Sequence, residues 1–121
     1  VSPVEVRQAQ WLRGVLDLAV LALLAEHGES YGYLISQQLA ESGLGEVKGG
    51  TLYPLLNRLE EGGLLNSSWR AGDGGPGRKF YEISRSGRRL LAEHAPQWTA
   101  FAGAATTVVQ RGLREAALSP G

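Results

Sequence analysis

The sequence contains no cysteine and only two histidines. Without thiols there is no disulfide framework, no thiolate metal site and no cysteine nucleophile, and such a chain suits a reducing, cytoplasmic setting. His27 and His94 alone are too few for a histidine-based metal site. His27 sits by a helix end, where a contact with the helix dipole explains it. Net charge is also missing, because 12 Lys and Arg balance 12 Asp and Glu, and this counts against indiscriminate nucleic-acid binding. The most apolar run, 15–25, is too short to span a bilayer and contains Asp17. No basic segment precedes an apolar one at the N-terminus, so neither a signal peptide nor a membrane partner is expected. Glu60 and Glu61 are adjacent, point in different directions around a helix and make no acid pair. The glycines of 71–77 do not both follow a strand and open a helix, as a phosphate-cradling loop does. No catalytic cluster, metal site or cofactor site emerges, and an enzyme is not expected.

With 121 residues, 43% hydrophobic and 20% charged, the chain suits one globular domain with a modest core and an appended element. It is organised around 49–65, GGTLYPLLNRLEEGGLL. Leu52, Leu55, Leu56 and Leu59 fall at i, i+3, i+4 and i+7, which puts them on one face of a helix. The opposite face carries Pro54, Asn57, Arg58 and Glu61, with Tyr53 on its flank. Asn57, Arg58 and Tyr53 are able to donate to base edges and phosphates. Pro54 is tolerated near a first turn, so the helix is expected to start close to Thr51. Gly49 and Gly50 let the backbone approach a ligand closely, and Lys48 before them makes a phosphate site at the helix N-terminus. Gly62-Gly63 stop the helix. The competing interpretation is an ordinary amphipathic helix whose polar face meets water.

The flanks favour recognition. Residues 1–9 read as an N-terminal arm or a short helical lead-in, and 10–27 as one helix. Leu12, Leu16, Ala19, Val20, Leu23 and Leu24 make its apolar face, widened by Val15, Leu18 and Leu21, so it is expected to pack on its own domain and on a second subunit. Ser30 resembles an N-cap for a helix over 31–42, broken by Ser42-Gly43-Leu44-Gly45. Two short helices joined in this way match the helix-turn-helix plan. Segments 64–70 and 78–84 read as strands around a seven-residue, turn-forming tip at 71–77. Six of the basic side chains (Arg70, Arg78, Lys79, Arg85, Arg88 and Arg89) lie between 70 and 89, and distribution rather than total charge is what a DNA-binding surface needs.

Ser84 is the expected N-cap of a last helix, which Pro96 should kink or restart. Leu90, Leu91, His94, Trp98, Phe101, Ala102, Ala105, Val108 and Val109 recur along it at three- and four-residue steps. That stripe is too broad for so small a domain to bury, and a second copy of the helix is the expected partner. Leu12, Leu16, Leu91, His94, Trp98, Phe101, Ala105 and Val108 are the candidate dimerisation residues. The organisation is therefore an arm over 1–9, a winged helix-turn-helix domain over 10–83, a dimerisation helix over 84–115 and a tail over 116–121. The fold class is mainly α (α+β), with a two-stranded wing.

Tyr31-Gly32-Tyr33, the run from Gly50 to Glu60 (GTLYPLLNRLE), Gly62-Gly63-Leu64, Gly77-Arg78-Lys79-Phe80-Tyr81 and Ile83-Ser84-Arg85-Ser86-Gly87 occur in an order that resembles the PadR family of bacterial transcriptional regulators. The similarity runs from about residue 12 to residue 101. The resemblance implies a dimeric winged helix-turn-helix repressor that binds double-stranded DNA. Lys48, Thr51, Tyr53, Asn57 and Arg58 would then face the major groove, with Tyr31 near a phosphate. Arg70, Arg78 and Lys79 would hold the DNA backbone from the wing. Many relatives carry an arginine just before the wing proline where this chain has Gly75, so its wing would grip less strongly. Some relatives bind planar, apolar ligands between aromatics at the dimer interface, which makes Trp98 and Phe101, joined by Trp11, the candidate effector residues. Plain interface core is the competing account of these aromatics. The rival to the whole picture is a winged-helix protein-interaction module with no DNA requirement, which the neutral charge and the lean wing would suit.

Overall fold

The computed structural model describes residues 2–72 and 74–118. They form two compact units, Val1–Leu91 and Ala92–Gly121.

The chain opens with α1 (Pro3–Arg13). Ser2 caps it, its hydroxyl accepting from the Glu5 backbone N–H at 3.2 Å, and Pro3 takes the first position, where no donor is needed. Most of the expected arm is thus helix. The single helix expected over 10–27 is two: α1 ends at Gly14, and α2 (Leu16–His27) leaves at 78° to it. Glycine costs about 1 kcal/mol in a helix interior, and here the Val15 N–H turns back to the Leu12 carbonyl at 2.9 Å to close the first helix. Leu16, Val20, Leu21, Leu23 and Leu24 bury most of α2, which is the central helix of the first unit. Gly28, at φ +79°, stops it in a conformation that side chains avoid.

A strand missing from the sequence-based expectation follows. β1 (Ser30–Tyr31) pairs antiparallel with a later strand through Ser30↔Tyr81 and Tyr31↔Phe80. Two residues are too few to show an alternating period, and Ser30 belongs to this ladder instead of capping the next helix. That helix, α3 (Gly32–Glu41), starts from Tyr31 without a side-chain cap and turns Ile35 and Leu39 inward. The Ser36 hydroxyl donates to the Val47 carbonyl at 2.9 Å and clips the connection onto α3. α4 (Gly49–Glu61) begins two residues before Thr51, because the Thr51 and Leu52 N–H groups both reach the Lys48 carbonyl at 3.0 Å. Leu52, Leu55, Leu56 and Leu59 are all buried, as their spacing predicts.

β2 (Leu65–Gly72) and β3 (Gly75–Ile83) pair from Leu65↔Ile83 out to Gly72↔Gly75, with one irregularity between Arg70 and Gly72. The seven-residue tip is therefore mostly strand. Gly74, at φ +71°, remains in the turn, and Asp73 lies outside the described residues. The glycines that made 71–77 read as loop allow close backbone approach: a Cβ on Gly77 would come within 2.9 Å of the Arg70 carbonyl oxygen. The sheet order is β1-β3-β2.

Ser84 joins three parts. Its backbone N–H donates to the Leu64 carbonyl at 3.0 Å, its hydroxyl donates to the Gly63 carbonyl at 2.6 Å, and that hydroxyl accepts from the Gly87 N–H at 3.0 Å. It is the N-cap foreseen for α5 (Arg85–Leu118), which runs unbroken through Pro96, without the expected restart, and three residues past 115. Leu90 and Leu91 pack partly onto the core of the first unit. The second unit is the remainder of α5, with no buried residue among those described. Leu12 and Leu16, expected on a dimer face, are only 7% and 5% exposed and belong to the core of their own chain, which leaves little for a partner to cover.

Candidate nucleic-acid interface

Burying its four leucines leaves α4 with Thr51, Tyr53, Asn57 and Arg58 exposed, next to exposed Lys48 and Gly49. Tyr53 does not wave freely. A Cβ on Gly32 would lie 2.5 Å from its ring, and one on Gly49 would lie 3.3 Å from it. The ring thus rests on two side-chain-free backbone segments, one from each helix of the helix-turn-helix, while 49% of the residue stays in solvent. A rotamer held in this way loses little further freedom when it meets a ligand.

The sheet has two different faces. Tyr31, Arg70, Arg78 and Phe80 interleave on the outer one. Phe80 meets Tyr31 edge-on at 5.3 Å, the Arg70 guanidinium lies 4.3 Å over Phe80, and that of Arg78 lies 4.6 Å over Tyr31. Each of the two arginine contacts is a cation–π contact worth about 0.5–1 kcal/mol at an exposed site. Arg70 also pairs with Glu29. On the face toward α4, Lys79 Nζ donates to Glu60 at 2.8 Å, and the Ser67 hydroxyl donates to the same carboxylate. The hydrogen bond from Lys79, followed by that from Ser67, holds the Glu60 carboxyl below its ordinary range, and the bond to Glu60 raises Lys79. Burial pushes the Tyr81 phenol up beside them. The three expected backbone-holding cations therefore differ in availability: Arg70 and Lys79 already have carboxylate partners, and Arg78 rests on an aromatic ring.

A helix-turn-helix whose second helix shows a polar face, followed by a hairpin and a long terminal helix, is the arrangement that known proteins share with this chain. Residues 20–93, more than half of it, match the transcriptional regulator PadR-like family. The chain belongs to this family. A PadR family transcriptional regulator from Eggerthella lenta superimposes with a TM-score of 0.76 at 34% identity, over 88% of this chain and 91% of that one. A PadR-like regulator from Bacillus cereus gives a TM-score of 0.71 at 33% identity, over 84% and 97%. The transcriptional regulator Rv3488 of Mycobacterium tuberculosis is 38% identical over 84 residues, 69% of this chain and 76% of that protein.

As a PadR-like protein the chain is a transcriptional regulator and not an enzyme, and membership of the family implies regulation through DNA binding. The fold is the winged helix foreseen from its sequence, with β1 as a third strand beside the wing. Among the described residues no His, Asp and Glu group could hold a metal ion, and no single helix is long and apolar enough to cross a membrane. Trp11 is exposed in the first unit, and His94, Trp98, Phe101, Ala105 and Val108 are exposed in the second. Four residues of this PadR-like surface escaped sequence reasoning: Glu29, Glu60, Trp69 and Phe80. Trp69 alone carried a usable signal, since it stands two and four residues beyond Ser67 and Leu65 on one strand face.

Proposed function

We propose that the protein is a homodimeric repressor of its own or a neighbouring gene that binds an inverted-repeat operator. The observation that carries this is the exposed face of α4, where Thr51, Asn57 and Arg58 stand free and Tyr53 is seated, within a winged-helix fold. Such a face supplies donors to base edges in the major groove, with Lys48, Gly49 and Tyr31 toward the phosphates. Arg70, Arg78 and Lys79 add wing contacts to the backbone, from cations that must first loosen their internal partners. Two copies, joined through Leu91, His94, Trp98, Phe101, Ala105 and Val108, would place two α4 helices about 34 Å apart, one turn of DNA. Alternate steps of three and four among those six residues make a coiled-coil-like seam. Trp98 and Phe101, exposed on it, offer flat apolar surface to a planar effector.

The test is fluorescence anisotropy with the gene's own upstream DNA and a scrambled duplex at two salt concentrations. Preferential, salt-sensitive binding to the upstream DNA is expected. Tyr53→Ala and Arg58→Ala should each weaken that binding by roughly tenfold or more while changing binding to the scrambled duplex less. Equal losses on both duplexes would remove these residues from base reading. Equal, weak binding by the unaltered protein would favour a protein partner in place of DNA.

A further inference from the structure

Trp69 is 71% exposed in the middle of a paired strand. Its register partner is Lys79, so the two share a face of the hairpin. That face is the one turned to α4, because Lys79 and Ser67 both reach Glu60 of that helix, and Leu65, Tyr81 and Ile83 on it enter the core. The indole therefore emerges beside the recognition helix, two residues and roughly 7 Å farther along β2 than Ser67. Little covers it on the side of the tip, because its diagonal neighbour on the facing strand is Gly77, whose absent Cβ would have stood 3.8 Å from the ring. The cations around it are engaged, Lys79 by Glu60 and Arg70 by Glu29. The large group that this part of the wing offers to a partner is an uncharged aromatic with one N–H donor.

We infer that Trp69 is a principal DNA contact of the wing, resting on the DNA-binding function proposed above. The indole lies flat against deoxyribose of the strand that borders the groove entered by α4, and its Nε1–H donates to a phosphate oxygen. A contact of this kind adds affinity through buried apolar area and not through counterion release.

The experiment compares the full chain with Trp69→Ala and Trp69→Phe on a duplex selected in vitro by the unaltered protein, across a salt series. Trp69→Ala should weaken binding by roughly ten- to a hundredfold, as aromatic anchors do, and leave the salt slope unchanged because no charge is removed. Trp69→Phe should recover part of the loss. The emission that distinguishes the unaltered protein from Trp69→Phe should lose its access to acrylamide when the duplex is added. Unchanged affinity in Trp69→Ala overturns the inference. So does lost affinity with Trp69 still open to acrylamide in the complex, which would make the residue a support for the hairpin. Failure to select any duplex with the unaltered protein would instead overturn the DNA-binding proposal itself.

Discussion

Gly32 shows how a missing atom can shape a binding surface. Its backbone is not in the left-handed region, so alanine is conformationally allowed there. The added methyl would nevertheless stand 2.5 Å from the Tyr53 ring, and overpacking of this kind costs about 1–3 kcal/mol unless the ring swings away. Gly32→Ala is therefore expected to weaken operator binding about as much as Tyr53→Ala, with the double substitution no worse than either alone. A double-mutant cycle by anisotropy reads this directly, and additive losses would mean that Gly32 does not act through Tyr53. The sequence made the leucine face of α4 and the Ser84 cap legible because both depend on spacing within one segment. Tyr53 was legible as exposed but its seat was not, since the glycine beneath it belongs to another helix.

Between elements, the Glu60 carboxylate is the tie between the recognition helix and both wing strands. With Glu60 lowered from 4.5 in the folded protein, its contribution is present above that value and is lost as the pH falls through the lowered one. Lys79 is raised from 10.5 and Tyr81 from 10.0, so their contributions hold below those values and are lost as the pH rises through the folded ones. Both ends of the pair are partly exposed, at 31% for Glu60 and 26% for Lys79, which limits the tie to about 1 kcal/mol after screening. Glu60→Gln should lower the melting temperature by a few degrees between about pH 6 and 9. The gap should close in acid, where the carboxyl of the unaltered protein is protonated as well. A gap that persists at the lowest pH would assign the effect to packing. None of this pairing could be read from the chain. Alternation placed Lys79 on a strand face, but which helix lies across from that face is a property of the assembled fold. The same gap hid β1, whose two residues become a strand only because Phe80 and Tyr81 lie opposite.

For the whole molecule, the second unit raises the question of what keeps a helix helical. Isolated helices owe most of their stability to packing, yet the described residues beyond Leu91 bury nothing, and Phe101 is 72% exposed. Phe101→Asp combined with Val108→Asp is expected to turn the proposed dimer into a monomer in sedimentation equilibrium. It should also lower helical circular dichroism and weaken operator binding by about a hundredfold or more, because two linked half-sites no longer reinforce each other. A variant that stays dimeric would move the interface elsewhere. The apolar stripe itself was plain from its three- and four-residue steps. The division of the N-terminal helix at Gly14 was not, because both halves are apolar enough to read as one.

The internal pairing of Arg70 with Glu29 and of Lys79 with Glu60 has a consequence for how many molecules a cell needs. A genome offers about 10⁶–10⁹ competing stretches of DNA for every true target, and the hold of those stretches on a protein is nearly all electrostatic. As the DNA-binding regulator proposed above, a chain with no net charge, whose wing cations Arg70 and Lys79 are paired with Glu29 and Glu60 from outside the wing, would be little retained by this excess. More of its copies would then stay free in solution, and a smaller copy number would suffice to occupy a target site.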